Sequence, residues 1–268
     1  GMSFLALHDD YFVKFVCMIL IFLGAIGFPV LIEVKTYLMK KDPTFRFSLF
    51  TKITTATYAG LFVIGTFVIL ILESFYSFKG MQWHEALFSA MFHSASTRSA
   101  GLTTYDVTTF SEATDLFMSA LMFIGASPSS VGGGIRTTTF AIIILFMIAY
   151  SRGHSDIQVF KREIHLIDVF RAFAVLIFAV FMVLVATMIL LITEQHATMT
   201  QILFEITSAF GTCGMSLGIT QDLSTVGKFV IMALMFIGRV GLISFLYSIG
   251  GTAKKKKYHY PKERIIIG

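Results

Sequence analysis

Charged residues are what this sequence most lacks. They make up 14% of its 268 residues, whereas a soluble domain carries about 25%. Hydrophobic residues make up 56%, and they are concentrated in runs long enough to cross a bilayer, which takes about 20 apolar residues. This composition disfavours a soluble globular protein and predicts an integral membrane protein of the all-α class.

Cysteine is also scarce. Cys17 and Cys213 are the two cysteines, and their wide separation excludes a disulfide framework. Neither paired metal ligands nor a nucleophile-elbow pattern occurs in the sequence. An intramembrane enzyme that uses Ser129 or Ser130 is therefore an alternative supported by residue types alone. The glycine triplet at residues 132–134 is not a phosphate loop, because no Gly-Lys-Ser/Thr follows it. We predict no enzyme, and no cofactor in this chain.

Lysine and arginine, which leave a net charge of +5, lie mainly in two loops and the C-terminal tail. These residues are Lys35, Lys40, Lys41, Arg46 and Lys52; Arg152, Lys161, Arg162 and Arg171; and Lys254, Lys255, Lys256, Lys257, Lys262 and Arg264. The clustering argues against a nucleic-acid partner. By the positive-inside rule it predicts a multi-pass protein of the cell membrane with cytoplasmic basic loops and C-terminus. The lysines at 254–257 could also simply anchor the tail to anionic lipid head groups.

Five long apolar runs are candidate membrane spans. Four have ordinary lengths, at residues 11–38, 51–76, 168–193 and 225–250. The fifth covers residues 115–150, and a straight helix of that length would reach about 54 Å across a hydrocarbon core of about 30 Å. We therefore predict a break at residues 126–136, where the sequence reads ASPSSVGGGIR.

Two shorter apolar stretches, at residues 83–93 and 200–210, cannot span a bilayer. Stretches of this length in a membrane protein fit half-helices that enter and leave the membrane on one side. Each is followed by a segment rich in glycine, serine and threonine and then by a longer run. The sequence thus predicts units of helix, pore loop and helix.

An internal repeat supports these units. The motif Phe, aliphatic residue, Gly ends at Gly24, Gly125 and Gly238, and the glycines after the two half-helices are Gly101 and Gly214. Both Gly101 to Gly214 and Gly125 to Gly238 are separated by 113 residues, which is typical of a true repeat. The predicted organisation is the end of one unit at residues 1–45, complete units at 46–152 and 153–251, and a cytoplasmic tail at 252–268.

The glycine segments suit an ion filter. Glycine accepts positive φ without steric cost, and non-helical backbone at membrane depth must be buried or line a water-filled path. Converging carbonyls can then replace the hydration shell of a cation. Close helix packing is the simpler alternative for the glycines. A secondary transporter with re-entrant hairpins is another, but such transporters carry inverted repeats and the units here run in parallel order.

Four motifs resemble those of the Trk/Ktr/HKT superfamily of potassium transporters. Residues 96–102 (STRSAGL) and 211–214 (GTCG) are similar to its third and fourth filter segments, residues 125–139 to its broken helix, and residues 238–241 to the helix facing that break. The tail at 258–264 is similar to that of the bacterial KtrB membrane subunits. The resemblance covers essentially the whole chain.

This resemblance implies several expectations. Four units surround a pseudo-fourfold pore that conducts potassium into the cell, with sodium linkage left open. The membrane subunit forms a homodimer in membrane lipid on a cytosolic ring of regulatory subunits, and nucleotide binds only to those partners. Potassium is the substrate, and we expect further sequence before residue 1, because the first unit and the front of the second are lacking.

The candidate site residues form two sets. The ion filter comprises Gly1, Thr97, Arg98, Ser99, Ala100, Gly101, Gly211, Thr212, Cys213 and Gly214, with potassium at the carbonyls of Ser99, Ala100, Thr212 and Cys213. The gate comprises Ala126, Ser127, Pro128, Ser129, Ser130, Gly132, Gly133, Gly134 and Arg239.

Two arginines among them invite specific expectations. Arg98 should turn away from a cation pore and pair with Glu85 or Glu205, unless it simply points outward. Arg239 lies inside an apolar run, where an ionisable group is costly and marks a functional site by default. We expect it to bind polar groups of the broken segment and act as an electrostatic barrier. A buried structural arginine bonded to backbone carbonyls is the alternative.

Overall fold

The computed structural model describes residues 10–40, 45–153 and 157–242. These residues form nine α-helices: α1 Tyr11–Ala25, α2 Phe28–Lys40, α3 Leu49–Glu73, α4 Trp83–Ser96, α5 Glu112–Ile124, α6 Thr137–Ser151, α7 Leu166–Thr193, α8 Met199–Phe210 and α9 Thr225–Val240. A 3-10 turn covers Val107–Thr109, and a hairpin pairs β1 Gln158–Val159 with β2 Arg162–Glu163. The predicted all-α class is confirmed, with this two-residue hairpin as a small addition.

Two described helices, α3 and α7, are long and apolar enough to cross a membrane, with 25 and 28 residues. At about 1.5 Å per residue each reaches roughly 40 Å, which exceeds a hydrocarbon core of about 30 Å. Large apolar side chains such as Phe67, Ile177 and Leu184 are exposed along them. This outward apolar surface suits contact with lipid.

The two shorter apolar stretches form the short helices α4 and α8, with 14 and 12 residues, and their entry into the membrane from one side stays a prediction. Helix α4 packs against α3, and α8 packs against both α7 and α9. The second half of α8 is buried without interruption, from Phe204 to Phe210. The two units join where α5 packs against α8, around the buried side chains of Met118, Phe204 and Met215.

The predicted interruption of the long apolar run is also confirmed. Helix α5 ends at Ile124 and α6 begins at Thr137, so residues 125–136 are not helical. Gly125 ends α5 with a φ of +65°, a conformation that costs glycine little and other residues more.

Two predicted spans are interrupted rather than continuous helices. The run at 11–38 is not one helix, because α1 and α2 meet at an angle of 102° across Gly27, whose φ is +97°. The run at 225–250 is interrupted when α9 ends at Val240 and Gly241 takes a φ of +91°; residues 243–250 lie outside the described residues. We call Gly24, Gly125 and Gly238 the anchor glycines of the repeat. The third residue after each of them is Gly27, Pro128 and Gly241, respectively, so the helix break belongs to the repeat.

The repeat is also visible in the helix starts. Asp10, Ser111 and Ser224 each cap the N-terminus of a helix, and each stands 14 residues before an anchor glycine. Aspartate and serine are preferred at such positions, because their side-chain oxygens accept hydrogen bonds from N–H groups in the first turn of the helix. The unit boundaries at 1–45, 46–152 and 153–251 stay predictions, and the tail at 252–268 lies outside the described residues.

Candidate functional site

The third-unit glycine segment turns tightly after α4. The carbonyl of Ser96 accepts hydrogen bonds from the N–H groups of Ala100 and Gly101, both at 3.1 Å, and the Ser96 hydroxyl donates to the carbonyl of Leu102. Gly101 closes this turn with a φ of +65°. The segment is therefore fixed by bonds to the end of its own half-helix.

The fourth-unit segment is built in a similar way after α8. Cys213 donates its N–H to the carbonyl of Ser208 at 2.9 Å, and Gly214 donates to the Ser208 hydroxyl at 3.1 Å. Gly214 has a φ of +95°, and Thr212 has a φ of +51°, which is uncommon for a residue other than glycine. Bonds to the end of α8 hold this strained backbone, just as bonds to the end of α4 hold the third-unit segment.

The two segments touch each other. A methyl group on Gly101 would collide with the carbonyl of Cys213 and lie within 3.0 Å of the Gly214 carbonyl carbon. The Cys213 thiol also lies 3.4 Å from the carbonyl of Ser96, to which it donates. The structure thus brings the described predicted filter residues together, while Gly1 lies outside the described residues.

The non-helical segment 125–136 packs against both glycine segments. Gly133 donates its N–H to the carbonyl of Gly211 at 3.2 Å. A methyl group on Gly132 would lie 3.1 Å from the Cβ of Ser99 and 3.3 Å from the carbonyl oxygen of Arg98. Glycine is required here because the backbones approach too closely for a side chain.

The same segment is also bonded to the break between α1 and α2. Three backbone hydrogen bonds join them: Ser127 N–H to the Ala25 carbonyl at 3.1 Å, Val131 N–H to the Gly24 carbonyl at 3.2 Å, and Phe28 N–H to the Ser129 carbonyl at 3.1 Å. Its polar backbone groups are therefore largely satisfied inside the protein, as irregular backbone at membrane depth requires.

Arg136 is a site residue that the sequence analysis missed. Its guanidinium donates hydrogen bonds to the carbonyls of Gly132 and Ser127, so it ties the end of segment 125–136 back onto its middle. Its own φ is +72°, a strained value for a non-glycine residue. A signal existed, because Arg136 lies two residues after the glycine triplet and precedes a polar Thr-Thr-Thr run.

Arg239 occupies the last turn of α9 and is exposed on this chain. The neighbouring Gly238 packs on the carbonyl of Phe210, and its own carbonyl oxygen lies 3.0 Å from a methyl position on Gly133. Arg239 is near enough to Arg136 for their charges to repel. Arg136 makes bonds to the carbonyls of segment 125–136 of the kind that we expected from Arg239, and the bonds from Arg239 stay a prediction.

Arg98 does not find the carboxylate that we expected. Its guanidinium is buried over the ring of Tyr58, 4.9 Å from the ring centroid, and reaches the Tyr58 carbonyl at 3.5 Å. Glu85 accepts a hydrogen bond from Tyr105, and Glu205 accepts one from Thr220. The predicted pairing is therefore wrong, as is the outward-pointing alternative, and a cation–π contact takes its place.

Comparison with known proteins identifies the family. A family described as "TrkH: Cation transport protein" matches residues 1–250. The chain therefore belongs to the TrkH family of cation transport proteins, as the motifs predicted, and it is an integral membrane protein.

Individual relatives agree with this assignment. The chain is 53% identical over its whole length to Ktr system potassium uptake protein D of Bacillus subtilis, covering 60% of that protein. It is 37% identical over 97% of its length to Ktr system potassium uptake protein B of the same organism, covering 57% of that protein. It thus spans about 60% of the length of these relatives.

A solved structure shares the fold. The potassium transporter TrkH from Vibrio parahaemolyticus matches with a TM-score of 0.70 over 90% of this chain and 52% of that one. The sequence identity of 16% makes this a likeness of fold alone. It supports the architecture of half-helices between longer helices.

Proposed function

We propose that this chain forms part of a pore that conducts potassium ions into the cell. One observation carries the proposal: the glycine segments after α4 and α8 meet backbone to backbone at Gly101 and Cys213, and segment 125–136 packs against both. The names of the relatives, which describe potassium uptake, support potassium as the ion. They equally support a transport protein rather than an enzyme.

The ion path runs past the carbonyls of the two glycine segments. Carbonyl oxygens of Ser99, Ala100, Thr212 and Cys213 replace water around a dehydrated potassium ion. Fixed backbone is needed for this, and the bonds from each segment to Ser96 or Ser208 supply it. A complete ring requires further segments equivalent to these two.

Segment 125–136 acts as the gate. It contacts the filter at Gly132 and Gly133, and it carries the positive charge of Arg136, on which the charge of Arg239 acts. A cation about 6 Å from one such charge is repelled by roughly 3 kcal/mol at an effective dielectric of about 20. The closed state is therefore maintained by both steric and electrostatic obstruction, and opening requires Arg136 to release the carbonyls of Gly132 and Ser127.

The orientation and assembly follow from the basic loops and the family. The loops holding Lys35, Arg46 and Lys52, and Arg152, Arg162 and Arg171, face the cytoplasm. Relatives named as members of a Ktr system support a membrane subunit of a larger complex. We propose a homodimer on a cytosolic ring of nucleotide-binding regulatory subunits. The tail carrying Lys254–Lys257, which lies outside the described residues, faces the same side.

Ion flux into proteoliposomes containing the full-length protein tests this function. Rb⁺, which substitutes for K⁺, should enter faster than Na⁺ down an equal gradient, and Rb⁺ flux should saturate. One relative is named as a potassium/sodium uptake protein, so Na⁺ is measured as substrate and as activator. Equal Rb⁺ and Na⁺ flux would contradict a potassium filter, and strict one-for-one coupling of Rb⁺ to a second ion would favour the secondary transporter.

A further inference from the structure

A second feature lies at the N-terminal ends of α3 and α7. A cavity of about 390 Å³ opens between the first turns of α3, α6 and α7 and strand β2. The basic residues on the elements that line it, Lys52 on α3, Arg162 on β2 and Arg171 on α7, place this end at the cytoplasmic surface of the membrane. The cavity therefore sits where lipid head groups meet the hydrocarbon.

The cavity has an apolar wall and a polar rim. Phe50, Ile53, Ile142 and Ala172 form part of the wall. Such a division matches a molecule with one apolar and one charged end, and a site of several hundred Å³ is large enough for a head group and the first carbons of its chains.

The rim carries both signs of charge. Arg171 and Asp168 lie 3.2 Å apart and are both about half exposed, and Glu163 and His165 stand beside them. An exposed pair like this one is weak, so its members remain able to bind a ligand. A guanidinium recognises phosphate by charge-assisted hydrogen bonds, and carboxylates recognise an ammonium group.

We propose that this cavity binds a membrane phospholipid with an amine head group, such as phosphatidylethanolamine. The phosphate lies at Arg171, the ammonium group at Glu163 and Asp168, and the acyl chains against Ile53, Ile142 and Ala172. An anionic lipid fits less well, because the two carboxylates would repel it.

The cavity is joined to segment 125–136 through α6. Thr138 and Thr139 line the cavity, and the adjacent Thr137 donates its N–H to the carbonyl of Ala126 at 3.1 Å and its hydroxyl to Ser127. A lipid that holds the first turn of α6 thus also holds the end of the gate. This coupling rests on the proposed function, whereas lipid binding does not.

Native mass spectrometry of the delipidated full-length protein tests the binding. Phosphatidylethanolamine, phosphatidylglycerol and soluble glycerophosphoethanolamine are titrated separately. We expect phosphatidylethanolamine to bind, and Arg171→Gln to weaken it about tenfold, the loss of one charge-assisted hydrogen bond. The matched control is Arg152→Gln, an exposed arginine that does not line the cavity.

Three outcomes would overturn the lipid site: equal lipid affinity in the Arg171 and Arg152 variants, tighter binding of phosphatidylglycerol, or equal binding of the soluble head group. As a second variant, Thr139→Phe fills the cavity from its wall and should also lower lipid binding. Rb⁺ flux with and without phosphatidylethanolamine then tests the coupling. Unchanged flux despite specific binding would overturn the coupling alone, and absence of any Rb⁺ flux would overturn the proposed function while leaving the binding result intact.

Discussion

Glu194, directly after α7, accepts two hydrogen bonds from Ser224, one from its N–H at 3.0 Å and one from its hydroxyl. Glu73, at the end of α3, accepts the same pair from Ser111 at 3.0 and 3.1 Å. Ser111 and Ser224 are 113 residues apart, which is the repeat interval. In both units a buried carboxylate thus fastens the first helix to the start of the helix that follows the filter.

Removing the charge of these carboxylates should destabilise the protein. Hydrogen bonds to charged groups contribute about 1.5–3 kcal/mol, so we expect Glu194→Gln and Glu73→Gln each to lower the free energy of unfolding by about 2 kcal/mol. Thermal unfolding in detergent measures this. Glu112→Gln changes an exposed acid in the first turn of α5 and is the control. Unfolding temperatures equal to that of the control variant would show that the carboxylates contribute no stability.

The same bonds make stability depend on pH. Hydrogen bonds from the Ser224 side chain hold the pKa of Glu194 below its usual value of 4.5. The contribution is therefore fully present above the unfolded pKa and is lost as the pH falls through the lower folded pKa. We expect the difference in unfolding temperature between wild type and Glu194→Gln to be constant from pH 7 to about pH 5 and to shrink below about pH 4. A difference that grows on acidification would contradict this linkage.

Gly214 and Gly218 form a matched pair for testing the filter. Both have a positive φ, +95° and +97°, and neither has an atom within 4 Å of a Cβ position. Alanine at either position should therefore strain the backbone equally, by about 1–2 kcal/mol. Only Gly214→Ala should lower the preference for Rb⁺ over Na⁺ in flux assays. An equal loss in both variants would assign the effect to general destabilisation.

We expect cation flux through the gate to rise when its positive charges are removed. A barrier of roughly 3 kcal/mol corresponds to about a hundredfold in rate if it is rate-limiting. We expect Arg239→Gln to raise Rb⁺ flux toward that limit, and Arg136→Gln to raise it further, because Arg136 also holds the carbonyls of Ser127 and Gly132. Arg152→Gln is the control. Wild-type flux in a folded Arg239→Gln protein would leave Arg239 with a structural role.

The sequence predicted those features of the fold that depend on the length of apolar runs and on the spacing of repeated motifs. The half-helices, the break at 125–136 and the meeting of the two glycine segments follow from length limits and from the 113-residue interval. The bend at Gly27 was missed because residues 11–38 are short enough to span without a break. The glycine or proline three residues after each of Gly24, Gly125 and Gly238 would have revealed it.

Side-chain partners were less predictable, because they depend on contacts between different elements of the same unit. Arg98 packs on Tyr58, which lies 40 residues earlier on α3, rather than on either nearby carboxylate. The sequence places Arg136 at the end of the predicted break. Its hydrogen bond to the carbonyl of Gly132 depends on the fold of the segment and could not be predicted. Glu73 and Glu194 bind serines that lie 38 and 30 residues later in the sequence, beyond the filter segment. No local sequence pattern therefore predicts these hydrogen bonds.

The most direct test of the potassium filter is Rb⁺ against Na⁺ flux in proteoliposomes containing wild-type or Gly101→Ala full-length protein, each shown to be folded by its unfolding temperature. The methyl group would displace the carbonyl of Cys213. We predict that the wild type prefers Rb⁺ and that Gly101→Ala loses most of this preference. An unchanged Rb⁺ preference in the folded variant would contradict a filter at these carbonyls.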